Sequence, residues 1–235
     1  MARMPKRGRC WDRLLGLTGD DAGISPEVRL RVVTELTAEA GDTFRVERSG
    51  SAVLLIGEGM LKSERGLPDG RVAVTGFHYP GDVVEVPLPI ARETVFEAVT
   101  RCQLREIDLQ EAVRLIPDRE ALLECVGDHA MTRIADDESR ILGLAHRSAA
   151  ERLVTFLESL AARPGAGNGN PEMIWTPMRR DDIANYLGMQ PETLSRTYAE
   201  LARTGVIAVP SRSQVKLLLR PRSQRHAGPS ISGDR

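Results

Sequence analysis

The spacing of hydrophobic positions in this chain changes part-way along, and the change separates two kinds of element. From Gly41 to Ile107, the segments TFRVERSGSAVLLIGEGML, GRVAVTGFHY, DVVEV and TVFEAVTRCQLREI carry β-branched residues in partial alternation. Gly50, Gly57, Gly59, the Pro68-Asp69-Gly70 turn and Pro80-Gly81-Asp82 punctuate them. Short alternating runs bounded by turn residues predict strands. This many, so closely spaced, predict a small antiparallel sandwich or jelly roll. After Pro117 the step lengthens to three and four, through Ala121, Leu122, Val126, Ala130, Ile134, Ile141, Leu142 and Ala145, with no proline before Pro164. Val126, Ala130 and Ile134 stand at i, i+4 and i+8, on one stripe of a long helix. A second copy of the same helix is the economical cover for such a stripe. Val126, Ala130, Ile134 and Ile141 are therefore expected at a homodimer interface, with packing on the chain's own barrel as the alternative.

A further helix, SAAERLVTFLESLAA, runs into the linker ARPGAGNGNPE, residues 162–172. Two short helical patterns follow in DDIANYLGMQPETLSRTYAELARTGVI, residues 181–207. Ile183, Ala184 and Leu187 give the first an apolar face, and Gly188 suits the left-handed residue that ends it. Pro191 suits the first turn of the second helix, where its missing N–H costs nothing. Leu194, Tyr198 and Leu201 form an inward face, leaving Glu192, Thr193, Ser195, Arg196 and Thr197 near an outward N-terminal half. Two helices joined by a tight turn, with polar residues crowding the start of the second, predict a helix-turn-helix. VIAVPSRSQVKLLL then predicts a two-stranded wing, with Arg212 at its turn and Lys216 beyond.

Charge sharpens this reading. Up to Ala149 there are 20 Lys+Arg against 25 Asp+Glu, and from Ala150 onward 12 against 8. No acid lies between Glu200 and Asp234, a stretch with six bases. A basic C-terminal third on an acidic body points to a polyanion partner. An arginine can donate two hydrogen bonds to guanine, and a carboxylate can accept from cytosine. Arg196 and Glu192, four apart, share a face that would suit the major groove of double-stranded DNA. The plainer reading of the pair is a surface ion pair worth a few tenths of a kcal/mol.

Other chemistry finds little support. No apolar run approaches the roughly 18–20 residues of a membrane span, and the basic N-terminus lacks the apolar core of a secretory signal, so a cytoplasmic setting is expected. Cys10, Cys102 and Cys125 lie far apart without CxxC spacing, which argues against a disulfide framework or a cysteine-only metal site. Strand barrels also house cupin-like metal enzymes, which need several converging histidines. Of the four histidines only His78 falls among the strands, and no P-loop, nucleophile elbow or HExxH occurs. No catalytic residue and no metal ligand is assigned. A dimerisation module with a degenerate helix-turn-helix is the other alternative.

The stretch DDIANYLGMQPETLSRTYAELARTGVI resembles the DNA-binding helices of the Crp/Fnr family of transcription regulators. LPDGRVAVTGFHYPGD resembles that family's sensor β-roll, and LAHRSAAERLVTFLESL the junction of its dimer helix with its DNA-binding domain. The resemblance implies an α+β chain with a cyclic-nucleotide-binding-like β-roll, a long dimerisation helix and a C-terminal winged helix-turn-helix. The expected division is an N-terminal segment 1–24, the β-roll 25–117, the dimer helix 118–146, the DNA-binding domain 147–220 and a disordered tail 221–235.

It further implies that Glu192, Ser195 and Arg196 read bases, and their E-x-x-S-R arrangement resembles the fumarate–nitrate and FixK-like branch, whose usual half-site is TTGA. Arg179, Arg180, Thr193, Arg212 and Lys216 are expected to touch the DNA backbone. RNA polymerase is a further partner if the protein activates.

The effector stays open. Only Cys10 stands where iron–sulfur members of the family group their cysteines, which argues strongly against a cluster. Arg92 stands where cyclic-nucleotide binders hold the phosphate, but Glu93 follows it and would repel that phosphate. Cyclic AMP is therefore disfavoured. Haem is disfavoured because His78, Cys102 and Met60 show no axial-ligand pattern. No cofactor is predicted.

Overall fold

Burial on both faces of one strand organises the N-terminal half of the computed structural model, which describes residues 9–15, 24–46, 51–86, 93–163, 169–170 and 172–218. The chain begins with two short helices, α1 (Arg9–Leu14) and α2 (Pro26–Val32). Eight strands follow: β1 (Val33–Ala38), β2 (Thr43–Phe44), β3 (Ala52–Glu58), β4 (Leu61–Gly66), β5 (Val72–His78), β6 (Val83–Val86), β7 (Thr94–Ala98) and β8 (Cys102–Asp108). They form two antiparallel four-stranded sheets, ordered β1-β8-β3-β6 and β2-β7-β4-β5. In β3 the run Ala52 to Ile56 is buried throughout. Ala52, Leu54 and Ile56 join Leu61, Phe96 and Leu104 in the core between the sheets. Val53 and Leu55 face the other way, into a second core with Trp11, Leu15, Val32, Ile107, Ile116 and Leu122. A strand covered on both faces reads as a continuous apolar run, which is why AVLLI shows no alternation.

The helical half starts with α3 (Leu109–Leu115), capped by Asp108, and the 28-residue α4 (Arg119–His146), capped by Asp118. Next comes α5 (Ala149–Ala161), opened by a Ser148–Glu151 capping box. Strand β9 (Ile174–Trp175), helices α6 (Arg180–Tyr186) and α7 (Pro191–Arg203), and strands β10 (Ile207–Ser211) and β11 (Gln214–Leu217) complete the order. Helices α5, α6 and α7 enclose a third core that includes Leu153, Leu157, Ile183, Leu194 and Leu201. The small sheet β10-β11-β9 carries one strand more than the expected two-stranded wing. Helices α2 and α3 and strand β1 were also not foreseen. The tail 221–235 and Arg92 lie outside the described residues.

The third core also contains Met60, Val74 and Phe77 of the strand domain, so the two halves share apolar packing. Phe77 meets the Tyr186 ring edge-on at 5.2 Å, and Phe156 lies 5.6 Å from Tyr186. Strand β5 is the edge of its sheet, and an edge leaves a row of backbone groups unpaired. The Asn185 carboxamide answers two of them: its Oδ1 accepts from Val74 N (2.8 Å) and its Nδ2 donates to Val72 O (2.8 Å). Arg140 of α4 donates to Thr75 O (2.9 Å), Val74 O (3.3 Å) and Tyr186 O (3.3 Å). Its guanidinium also lies 4.4 Å from the Tyr186 ring centroid.

Charge holds the same junction. Lys62 of β4 is fully buried, with Nζ 2.6 Å from Glu97, 2.7 Å from Glu64 and 3.3 Å from Asp182 of α6. Burial works against its charge, but hydrogen bonds to Glu64 and Glu97 and the field of Asp182 prevail and raise its pKa above the ordinary lysine value.

Truncating Asn185 to alanine strips the β5 edge of both partners. The expected cost is about 1–2 kcal/mol, read as a lower urea midpoint. An unchanged midpoint would show that water replaces the carboxamide at no cost.

Candidate nucleic-acid interface

Helix α6 ends where its sequence says it should. Gly188 sits at φ 62°, its N–H bonds to Asn185 O (3.0 Å), and Met189 N bonds to Ala184 O (3.0 Å). This pair of bonds is the Schellman arrangement, which needs a residue at positive φ. A Cβ on Gly188 would also lie 3.0 Å from Leu144 Cδ2 of α4, so the turn is pressed against the long helix. Pro191 occupies the first turn of α7, and Gln190 supplies no side-chain cap. The first-turn N–H groups of α7 are therefore left for water or an anion.

Leu194, Thr197, Tyr198 and Leu201 form the buried face of α7. Thr197 was expected outside. It is 6% exposed instead, and its hydroxyl donates to Thr193 O at 2.8 Å, which satisfies a polar group at a core position. Glu192, Ser195 and Arg196 are exposed, at i, i+3 and i+4 of one stripe. No side-chain hydrogen bond or ion pair ties any of the three to another described residue. Thr193 is half-buried at the margin of the stripe.

The residues expected at the DNA backbone divide. Arg179 Nε bonds Asp182 at 3.1 Å and its Nη2 lies 3.8 Å from Glu97, although most of the side chain is exposed. It belongs partly to the Lys62 network. Arg180 stacks 3.7 Å from the Tyr198 ring centroid and reaches Arg212 O at 3.5 Å, bracing α6 against α7 and the β10–β11 turn. Arg212 itself is exposed at that turn. Lys216 meets Glu172 at 2.5 Å, and this hydrogen bond holds the Glu172 carboxyl below its ordinary range.

On α4, Ile134 and Ile141 are 61% and 65% exposed, with Leu123, Met131, Leu142 and Leu144 also open. Val126 and Ala130 are half-buried, and Val126 packs against the core beneath the first sheet. The stripe thus starts on the chain's own core and leaves it further along.

The described residues carry the helix-turn-helix, and residues 151–222 match the Crp-like helix-turn-helix domain. Among curated relatives, the chain is 34% identical over 155 residues to the nitrogen fixation regulation protein FixK of Bradyrhizobium diazoefficiens. That alignment covers 65% of this chain and 64% of the relative, a little under two thirds of its length. The chain is also 30% identical over 174 residues to the transcriptional activator protein FnrA of Stutzerimonas stutzeri, covering 71% of this chain and 67% of that protein. The chain belongs to the Crp/Fnr family of transcription regulators. Its FixK-like character extends to the fold: the structure of FixK2 from Bradyrhizobium japonicum superposes with a TM-score of 0.68 at 26% identity, covering 80% of this chain and 94% of that one. The family regulates transcription and is not one of enzymes, which answers the cupin-like alternative.

A cavity of about 210 Å³ lies where the β-roll meets α4, lined among others by Ser63, Thr75, His78, Asp82, Arg133 and Asp136. It is smaller than the roughly 300–1,000 Å³ of most ligand pockets. Asp82 is already engaged: Arg163 donates to both its oxygens at 2.7 and 2.6 Å, and Tyr79 N to Oδ2 at 3.0 Å. Glu93 lies 3.6 Å from Arg65. His78 Nε2 sits 2.9 Å from Ser63 Oγ. A Cβ on Gly76 would crowd both, at 2.9 Å from the imidazole and 3.2 Å from the hydroxyl. The sequence reading missed Asn185, Lys62 and Arg140.

Burial pushes the His78 imidazole down from 6.5 to about 4, with Asp82 opposing and Arg163 adding to the shift. Between those values the unfolded chain binds a proton that the folded chain refuses. Stability therefore falls as pH drops from 6.5 towards 4 and is recovered above 6.5. Urea midpoints should fall across that window more steeply for the native chain than for His78→Gln. Equal pH slopes in the two chains would remove the assignment.

Proposed function

We propose that this Crp/Fnr chain binds an inverted DNA repeat with TTGA-type half-sites as a homodimer in the cytoplasm. The observation that carries the reading is the exposed stripe of Glu192, Ser195 and Arg196, three hydrogen-bonding side chains with no partner among the described residues. Leaving such groups unpaired on a helix otherwise packed into a core suits direct readout of base edges. Arg196 offers a bidentate donor for guanine and Glu192 an acceptor for cytosine N4–H. Arg212, Lys216, Thr193 and the uncapped first turn of α7 flank the stripe as phosphate contacts. Arg179 and Arg180 act mainly as braces, holding α6 to the β-roll and to α7.

Dimerisation is supported by apolar side chains of α4 that are exposed or, at Ala130, half-buried. Leu123, Ala130, Ile134, Ile141 and Leu144 recur at steps of seven, four, seven and three, the spacing of a helix-pairing seam. Two recognition helices presented about 34 Å apart would then address successive major grooves. The relative FnrA is named a transcriptional activator, and contact with RNA polymerase follows if this chain acts in the same sense.

Titrating the protein against a labelled TTGA-N6-TCAA duplex and a scrambled duplex at one salt concentration tests the reading. Arg196→Ala should cost about 1–3 kcal/mol per half-site and narrow the gap between the two duplexes. An equal loss on both would reduce Arg196 to a phosphate contact. Lys216→Ala should weaken both duplexes alike and lower the salt slope by about 1. A slope that does not move would return Lys216 to its partner Glu172.

Ile134→Glu puts a carboxylate in the middle of the proposed seam at a site already open in the single chain. Sedimentation should show a shift from dimer to monomer with the helical signal preserved. A persisting dimer would place the interface elsewhere.

A further inference from the structure

Cys10 and Cys125 are distant in sequence, yet α1 brings them together at the foot of α4. Trp11, Leu14 and Leu15 of α1 pack into the same core as Leu122 and Cys125 of α4, with Cys10 at its margin. Both thiols are reduced; Cys125 is buried and Cys10 half-exposed. Each thiol lies close enough to the other to shift its titration. Cys102 differs. It is fully buried among strands, its thiol donates to the carbonyls of Met60 and Thr100 at 3.2 and 3.1 Å, and burial pushes it up to about 11. A thiol held protonated in a core is inert.

We propose that Cys10 and Cys125 form an oxidisable dithiol, in which a hydroperoxide converts the facing thiols into an intrachain disulfide stapling α1 to α4. The roles follow from the geometry. Cys10 is the sulfur within reach of solvent, and Cys125 stands behind it. The closeness of the two sulfurs favours the Cys10 thiolate and disfavours that of Cys125; burial opposes the first effect and reinforces the second. The thiolate is the nucleophile in thiol oxidation.

In the first step the Cys10 thiolate attacks one peroxide oxygen. An S–O bond forms and the O–O bond breaks. The departing alkoxide, or hydroxide from hydrogen peroxide, takes a proton from water. In the second step the Cys125 sulfur attacks the sulfenic sulfur. The S–S bond forms, the S–O bond breaks, and hydroxide leaves as water with the Cys125 proton. The thiol pair loses two electrons and the peroxide gains two. A small dithiol reverses the change by exchange.

The test uses the reduced full-length protein, a slight excess of hydrogen peroxide, and peptide mapping without reductant. The expected product is a peptide pair joining Cys10 to Cys125, with two of the three thiols lost to maleimide and the chain still single on a denaturing gel. Because the new link closes a long loop, the thermal midpoint should rise by roughly 5–10 °C and return on reduction. Cys125→Ser should accumulate a Cys10 sulfenic acid that dimedone traps, whereas Cys10→Ser should leave Cys125 unreactive. The map of the unsubstituted protein decides the matter even if a variant folds poorly. Survival of all three thiols, modification at Cys102 instead, or links between chains would each overturn the proposal. None of these readouts depends on DNA binding.

Discussion

The edge of strand β5 has backbone groups that the β-roll cannot pair by itself, and the DNA-binding half is fastened to that edge. Asn185 supplies an acceptor and a donor on adjacent atoms, matching Val74 N–H and Val72 C=O. Arg140 covers the carbonyls of Val74 and Thr75 and also holds Tyr186 O at the end of α6. Unpaired edge groups invite another strand. Here a helix side chain takes that place, so one contact closes the sheet and fixes the first helix of the helix-turn-helix.

The charges around Lys62 then divide the polar residues of the DNA-binding half into two groups. A lysine with no exposed surface is tolerated only among close carboxylates, and here it has three, one of them Asp182 of α6. Arg179 joins the same cluster, and Arg180 is stacked on Tyr198. These side chains are spent on orienting α6 and α7. Glu192, Ser195 and Arg196 stay outside that network, so an open polar stripe remains on a helix whose other polar contacts are structural.

The β-roll half shows the same use of polar groups for closure. Arg163, at the end of α5, takes both oxygens of Asp82 and lies 4.3 Å from the Tyr79 ring centroid. The turn after β5 is thus tied to the helix that leads into the DNA-binding domain. A small cavity remains between the β-roll and α4 beside His78, which is bonded to Ser63 and confined by Gly76.

The helix-turn-helix was legible because its grammar is local. Gly188 at positive φ, Pro191 in the first turn and the apolar steps of α7 each act within a few residues. A fold class built from short strands and one long helix follows from periodicity in the same way. Thr197 was misread because a hydroxyl looks polar in sequence, while its bond to Thr193 O makes it fit a buried face. Strand β3 has no alternation to read, since both its faces are covered. The pairing of Lys62 with Glu97 and Asp182, the match of Asn185 to an edge strand and the meeting of Cys10 with Cys125 join residues far apart in the chain. Sequence by itself determined the helix-turn-helix, the long helix and the strand-rich character of the N-terminal half, because helix and turn preferences are short-range. Only the tertiary structure decided which polar groups face one another, because those pairings depend on how separate elements pack.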